Sequence, residues 1–309
     1  MATPKESATT PATSTNTHVT PEQDNNDIAF AEALERNPGT ALDLGWINEI
    51  HVSTQGTQKD AADITGRRSI KKEHQVAWLL KAITMIDLTT LSGDDTPGNV
   101  KKLCAEALQP LPEKTLSQLK SAGMDIHTGA VCVYHERVRS AVKALNNPAI
   151  PVAAVSTGFP HAQNPFPQRV EEIKASVADG AMEIDVVITR AHVLTGNWQK
   201  LYDEIKTYRE ACGDAHMKVI FETGELGAME NVAKASRVAM MAGADFIKTS
   251  TGKASINANL AVSLVMMRQI REYHERTGIK IGFKPAGGIS TAKDSLAYLT
   301  LVKEVLGDE

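Results

Sequence analysis

The chain has 309 residues, with 33 basic against 37 acidic side chains and a net charge of -4, a balance that suggests neither a nucleic-acid nor a membrane partner. Its three cysteines, Cys104, Cys132 and Cys212, are too few and too widely spaced for a disulfide framework, and no CxxC or Cys/His cluster points to a metal. The 42% hydrophobic content suits a globular enzyme, no apolar run approaches the roughly 18 residues of a membrane span, and the N-terminus lacks the cationic start and apolar core of a signal peptide, so a cytoplasmic setting is the default.

Residues 1–38 are rich in Thr, Pro, Ser, Asn and Gln, with almost no bulky apolar side chain before Ile28. Such a segment cannot bury enough surface to offset its ordering entropy, and the expectation is a disordered tail ahead of one domain over 39–309. Lys5 is the sole Lys or Arg before Arg36, which argues against a transit peptide. Residues 42–52 read as a short helix, 56–66 as a polar connection and 70–82 as a longer helix.

From Ile83 onward short apolar runs alternate with helical periodicity, the pattern of repeated βα units. The predicted strands are 83–88, 129–134, 150–156, 182–188, 218–222, 244–249 and 280–284. Stretches 166–179, 229–241 and 259–273 space apolar residues as amphipathic helices do. Gly180 and Gly243 fall where such helices should end, and Thr291 with Asp294 forms a capping-box pattern opening a last helix to about Leu306. The fold class is α/β, a (β/α)-type barrel one strand short of closure.

Active sites of such barrels gather at the C-terminal ends of the strands. The polar residues there are Asp87, Thr89 and Thr90, Cys132, Asp185, Lys218, Lys248 and Lys284. Lys248 ends the apolar run Ala244 to Ile247, and Lys284 ends the next strand. Burial and a neighbouring cation both lower an amine's pKa and make it nucleophilic, so the paired lysines suggest carbonyl chemistry, against the plainer reading of exposed strand termini. Asp185 shares a strand face with Glu183 and Val187, which leaves it either a structural partner of a lysine or a proton shuttle. Cys132 reads equally as a small buried hydrophobe. The amides of Gly252, Gly287 and Gly288, with Lys253 adding charge, would suit an anion, although glycine pairs are usually ordinary turns.

Two segments carry a resemblance. Phe246-Ile-Lys-Thr-Ser-Thr-Gly-Lys253 and Gly282-Phe-Lys-Pro-Ala-Gly-Gly288 resemble the signature segments of the deoxyribose-phosphate aldolase family, class I Schiff-base enzymes with a TIM-barrel fold. The likeness runs from about residue 41 to the end. It implies Lys248 as the Schiff-base nucleophile, Asp185 as the acid/base residue, and Lys284 as the cation that tunes Lys248 and helps move protons. Thr89, Cys132, Lys218 and Thr251 match family positions that line the pocket. The implied reaction is reversible cleavage of 2-deoxyribose 5-phosphate to glyceraldehyde 3-phosphate and acetaldehyde in deoxynucleoside catabolism, with no cofactor and no metal. A homo-oligomer is compatible with this reading.

His135 departs from the proline the family carries after the tyrosine, and Ser290 stands where many members carry arginine. The family's last strand, with a Gly/Ser-rich phosphate-binding turn, would follow residue 309, so the barrel is expected to be incomplete at that side unless an early N-terminal strand escapes the pattern. Two alternatives stand beside the leading reading. One is a non-catalytic interaction protein built on an incomplete barrel, and the other a Schiff-base aldolase for another phosphosugar.

Overall fold

Seven strands lie parallel in one sheet, in chain order, in a computed structural model that describes residues 35–67 and 69–307. They are β1 (Asp87–Thr89), β2 (Ala130–Tyr134), β3 (Val152–Ser156), β4 (Glu183–Val187), β5 (His216–Ile220), β6 (Phe246–Lys248) and β7 (Gly282–Lys284). Each is joined to the next through helical segments, and side chains alternate between the two faces of the sheet. On β4, Ile184 and Val186 point into the main core, where they join Val131, Val133, Met217, Val219 and Ile247 under the surrounding helices. The opposite face carries Glu183, Asp185 and Val187. The alternation expected for this strand is therefore present.

The helices that cover the sheet include α7 (Phe166–Ala178), α9 (Trp198–Cys212), α10 (Met229–Met241) and α11 (Leu260–Thr277). Gly180 and Gly243 follow α7 and α10 with φ of 100° and 101°, a left-handed turn that glycine adopts without strain. The last helix, α12 (Ala292–Leu306), opens on the expected capping box: the Asp294 N–H donates to Thr291 Oγ1 at 3.1 Å and the Thr291 N–H to Asp294 Oδ2 at 3.2 Å.

Three expectations near the N-terminal side need correction. The segment read as a polar connection over 56–66 is a helix, α2 (Thr54–Arg67), which packs against α11 and α12 with Thr57 and Ala61 buried. The helix read over 42–52 is confined to α1 (Leu44–Asn48). The first strand is Asp87–Thr89 alone, because Ile83 completes α3 (Lys72–Ile83), and Met85 and Ile86 remain exposed between the two. The expected tail lies outside the described residues over 1–34, but Asn37 is buried. Its side chain donates to Met240 O at 2.7 Å and Ala244 O at 2.9 Å, and its N–H donates to Asp245 at 2.8 Å, so packed structure begins ahead of residue 39.

Among the described residues there is no eighth strand, and β1 and β7 are not paired with each other. α12 packs on α3 beside that gap. Within the same residues no helix is long and apolar enough to cross a membrane.

Candidate active site

Parallel registry sets the site. Asp185 of β4 pairs with Lys218 of β5, Ile220 of β5 with Lys248 of β6, and Lys248 with Lys284 of β7. At the opposite edge Thr89 of β1 pairs with Cys132 of β2. Below Lys218, Phe246 fills the interior, with the Lys218 Nζ 5.8 Å from its ring centroid and His216 edge-on to it. That ring fits because β7 begins with glycine: a Cβ at Gly282 would fall 2.0 Å from Phe246 Cδ1.

Three lysines and three carboxylates alternate across these strand ends. Lys284 Nζ lies 2.7 Å from Asp87 Oδ1, and Lys218 Nζ lies 2.8 Å from Asp87 Oδ2 and 2.5 Å from Glu183 Oε2. Lys218 also faces Asp185 Oδ1 at 3.5 Å, a contact of charges without hydrogen-bond geometry. Asp185 Oδ2 accepts from Lys248 Nζ at 2.5 Å. Asp185 is 0% exposed, Lys218 2% and Lys248 6%, and ions this deep survive only because each is matched.

The charges explain the titration of the group. Burial pushes Asp87 up, but Lys218 and Lys284 outweigh it and hold the carboxyl well below its ordinary range. Glu183 is raised, chiefly by burial, with Asp87 and Asp185 adding to it and Lys218 opposing. Burial favours a neutral Lys218, yet Asp185, Asp87 and Glu183 together raise it well above the usual lysine value. Burial acts most strongly, to lower Lys248, but the charge and hydrogen bond of Asp185, with Cys132 adding, raise its pKa overall. The Cys132 thiol is pushed up to about 12 by burial and then by Asp185, which keeps it protonated.

The expected depression of the Lys248 pKa by Lys284 is thus not found. The ammonium of Lys284 is engaged with Asp87, and the cation acting against Lys248 is Lys218. Asp185, which accepts the Lys248 hydrogen bond, is the carboxylate placed to take a proton from that amine.

A cavity of about 320 Å³ opens on this cluster between β1 and β7, under α12. Lys248, Lys284, Thr89 and Gly287 line it together with Asp87, Phe283 and Tyr298. Four of the sequence-predicted residues therefore meet at one space. Cys132 and Lys218 are buried among the inward-facing side chains, with Cys132 packed against Ala153 and Val155. Thr251 is turned to Glu222, whose carboxylate takes its N–H at 3.1 Å and its hydroxyl in a shorter bond. Gly252 and Gly287 both hold positive φ, and a Cβ on Gly252 would lie 4.0 Å from Gly287 Cα, so the two turns sit side by side. Lys253 Nζ donates to Leu91 O at 2.8 Å, and Gly288 borders a separate groove with Asn259 and Asp294. His135 opens a short 3₁₀ turn and docks its ring on Ser176 Oγ at 3.1 Å, a structural contact at the edge of β2.

Comparison with known proteins places this geometry. The family described as DeoC/LacD family aldolase matches residues 81–302. The chain belongs to that family. Deoxyribose-phosphate aldolase of Homo sapiens is 58% identical over 275 residues, 88% of this chain and 86% of the human protein. A putative deoxyribose-phosphate aldolase of Caenorhabditis elegans is 47% identical over 231 residues, covering 74% of this chain and 73% of its own. Among solved structures, a putative deoxyribose-phosphate aldolase from Coccidioides immitis superposes with a TM-score of 0.61 at 23% identity, over 81% of this chain and 91% of that one. A deoxyribose phosphate aldolase from Aeropyrum pernix, described as tetrameric, superposes at 0.56 with 20% identity over the same shares. These two establish a shared fold. In this DeoC/LacD family chain the matched range contains every member of the lysine–carboxylate cluster, from Asp87 to Lys284.

Two members of the cluster were visible in the sequence without an assigned role, Asp87 among the strand-end polar residues and Glu183 as a neighbour of Asp185. Asp87 opens β1 and Glu183 shares a face with Asp185, and what the sequence did not show was that both converge on Lys218. Glu222, just beyond β5, carried no comparable signal.

Proposed function

We propose that this chain is a class I aldolase that reversibly cleaves 2-deoxyribose 5-phosphate into glyceraldehyde 3-phosphate and acetaldehyde through a Schiff base on Lys248. The observation that carries the reading is the 2.5 Å contact between Lys248 Nζ and Asp185 Oδ2 beside a cavity lined by Lys248. Membership of the DeoC/LacD family supports the same activity.

The steps follow from these groups. Asp185 accepts the Lys248 proton, and the free amine attacks the C1 aldehyde of the open-chain sugar. Asp185 returns a proton to the departing hydroxyl, water leaves, and a protonated imine remains. Asp185, again a carboxylate, takes the proton of the C3 hydroxyl, which lets that oxygen form a carbonyl and leaves the acid that later supplies the proton at C2. The C2–C3 bond breaks, its electron pair forms the C1–C2 double bond of an enamine, and the imine nitrogen takes up the displaced pair. Glyceraldehyde 3-phosphate departs, a proton is added at C2, and hydrolysis frees acetaldehyde and Lys248. Lys284, held at the cavity by its ion pair with Asp87, is the cation proposed to help move protons there.

Gly252, Lys253 and Gly287 are the groups proposed to meet the phosphate, Thr89 to contact the sugar, and Cys132 and Lys218 to support the pocket from within. Gly288 has a weaker claim because it borders another groove. Neither nucleic acid nor membrane enters this reading, and three buried, unpaired cysteines suit a cytoplasmic setting.

Borohydride reduction in the presence of 2-deoxyribose 5-phosphate, followed by mass mapping, tests the assignment. The adduct is expected on Lys248. An adduct on Lys218 or Lys284 in the unaltered protein would overturn it, and trapping with other sugar phosphates but not this one would redirect the substrate.

A further inference from the structure

A short chain of contacts links the end of β5 to the turn after β6. Glu222 lies two residues beyond β5, is 2% exposed, and holds a left-handed backbone with φ 59° and ψ 61°. Long side chains are uncommon in that region, which costs energy unless surrounding structure maintains it. Its Oε2 accepts both the N–H and the hydroxyl of Thr251, and Thr251 Oγ1 in turn accepts the Lys253 N–H at 3.0 Å. The other carboxylate oxygen, Oε1, has no hydrogen-bond partner among the described residues.

A buried carboxylate with one oxygen unmatched, on a strained backbone, is a poor device for stability. It is a good device for geometry. Both donors of Thr251 are engaged with one carboxylate oxygen, so Thr251 is held away from any ligand. The turn that follows, Gly252–Lys253, is anchored just before it by the charge-assisted bonds of Thr251 to Glu222 and at its last residue by the Thr251 hydroxyl. Gly252 itself holds φ 80° and lies against the Gly287 turn.

We infer that Glu222 is a positioning residue: through Thr251 it sets the Gly252–Lys253 turn to receive an anion and so gives the enzyme its preference for a phosphorylated sugar. The role in substrate preference rests on the aldolase reading above, whereas the role in anion binding can be measured without it.

The test uses the full chain with inorganic phosphate as probe in titration calorimetry, and compares the parent with Glu222→Gln, Thr251→Val and the double variant. Replacing the charge while keeping the shape is expected to weaken phosphate binding about tenfold, and the kcat/KM ratio of 2-deoxyribose 5-phosphate over 2-deoxyribose should fall by a similar factor, mainly through KM. The double variant should bind phosphate no worse than Thr251→Val alone, since both changes break one linkage. The Tm of Glu222→Gln should be no lower than the parent's. A fall in Tm with equal losses on both sugars would mean that Glu222 only supports packing, and would overturn the inference. Undiminished phosphate affinity in Glu222→Gln, or a folded parent that does not bind phosphate, would do the same. A parent that binds phosphate in a Glu222-dependent way but cleaves neither sugar would leave the positioning role standing and remove the aldolase reading instead.

Discussion

Lys248 Nζ and Asp185 Oδ2 lie 2.5 Å apart, and although burial favours the free amine, Asp185 is the main group opposing it, leaving the lysine pKa raised. The resting lysine is therefore held as an ammonium beside a carboxylate that can take its proton. A lysine depressed by a second lysine would be reactive at all times. A lysine paired with a carboxylate is reactive only once the proton moves, and substrate entry into the cavity is the event that would disturb the pair.

Asp185→Asn is expected to have two opposite effects. Turnover should fall by about 100-fold or more, the usual scale of an acid/base contribution. Yet the Lys248 pKa should drop, because burial and Lys218 both favour the free amine once the carboxylate is gone. Reductive trapping of acetaldehyde on Lys248 should then reach half its maximal rate at a lower pH than in the parent. An unmoved midpoint would show that Asp185 does not keep the proton on Lys248.

Much of this was legible in the sequence. The apolar runs marked β2 to β6, and the alternation around Ile184 and Val186 placed Asp185 on the inner face. Lys248 and Lys284 at the ends of adjacent strands could be named from spacing and resemblance. What could not be read was which carboxylate each lysine meets. Lys284 reaches Asp87, 197 positions earlier in the chain, across the unpaired gap between β1 and β7, and that choice depends on how far the sheet curls. The segment 56–66 reads as a connection for a different reason: Gly56 and Gly66 with many polar residues resemble a loop, and only Ala61 and Thr57 packing toward α11 and α12 reveals a helix. Glu222 stayed hidden because a left-handed glutamate leaves no pattern in the sequence.

Asp87 should dominate the acid limb of stability. Its folded pKa lies below the ordinary value of 3.8, so its stabilising contribution is complete above that value and is lost as pH falls below it. Asp87→Asn removes the group that titrates, and denaturation midpoints measured from about pH 6 to about pH 3 should therefore fall less steeply than in the parent. An equally steep acid limb in the variant would assign acid sensitivity to other carboxylates.

Gly282→Ala should strain the floor of the site, because its Cβ would overlap the Phe246 ring at 2.0 Å. Overpacking of this kind costs typically about 1–3 kcal/mol. Adding Phe246→Leu should recover part of the loss by withdrawing the ring, though it also removes the aromatic face beneath Lys218. If the double variant is no more stable than Gly282→Ala, the clash lies elsewhere.

Lys218→Met is the sharpest test of the cluster as a single electrostatic unit. Lys218 is 2% exposed and contacts Asp87, Glu183 and Asp185, so its loss leaves one buried and two largely buried carboxylates with only Lys248 and Lys284 to match them. Removing one partner of a buried ion pair costs about 3–5 kcal/mol near neutral pH. The pH dependence identifies the cause. Glu183 is raised already, with Lys218 opposing the rise, so in the variant its pKa should climb further. An acid whose folded pKa exceeds its unfolded value binds protons better when folded, and stability is lost as pH rises through that interval. The stability gap between Lys218→Met and the parent should therefore narrow as pH is lowered from about 7.5 to about 5, as seen in denaturation midpoints at each pH. A gap that stays constant would mean that the lost lysine stem and its packing on Phe246, rather than unmatched carboxylate charge, account for the destabilisation.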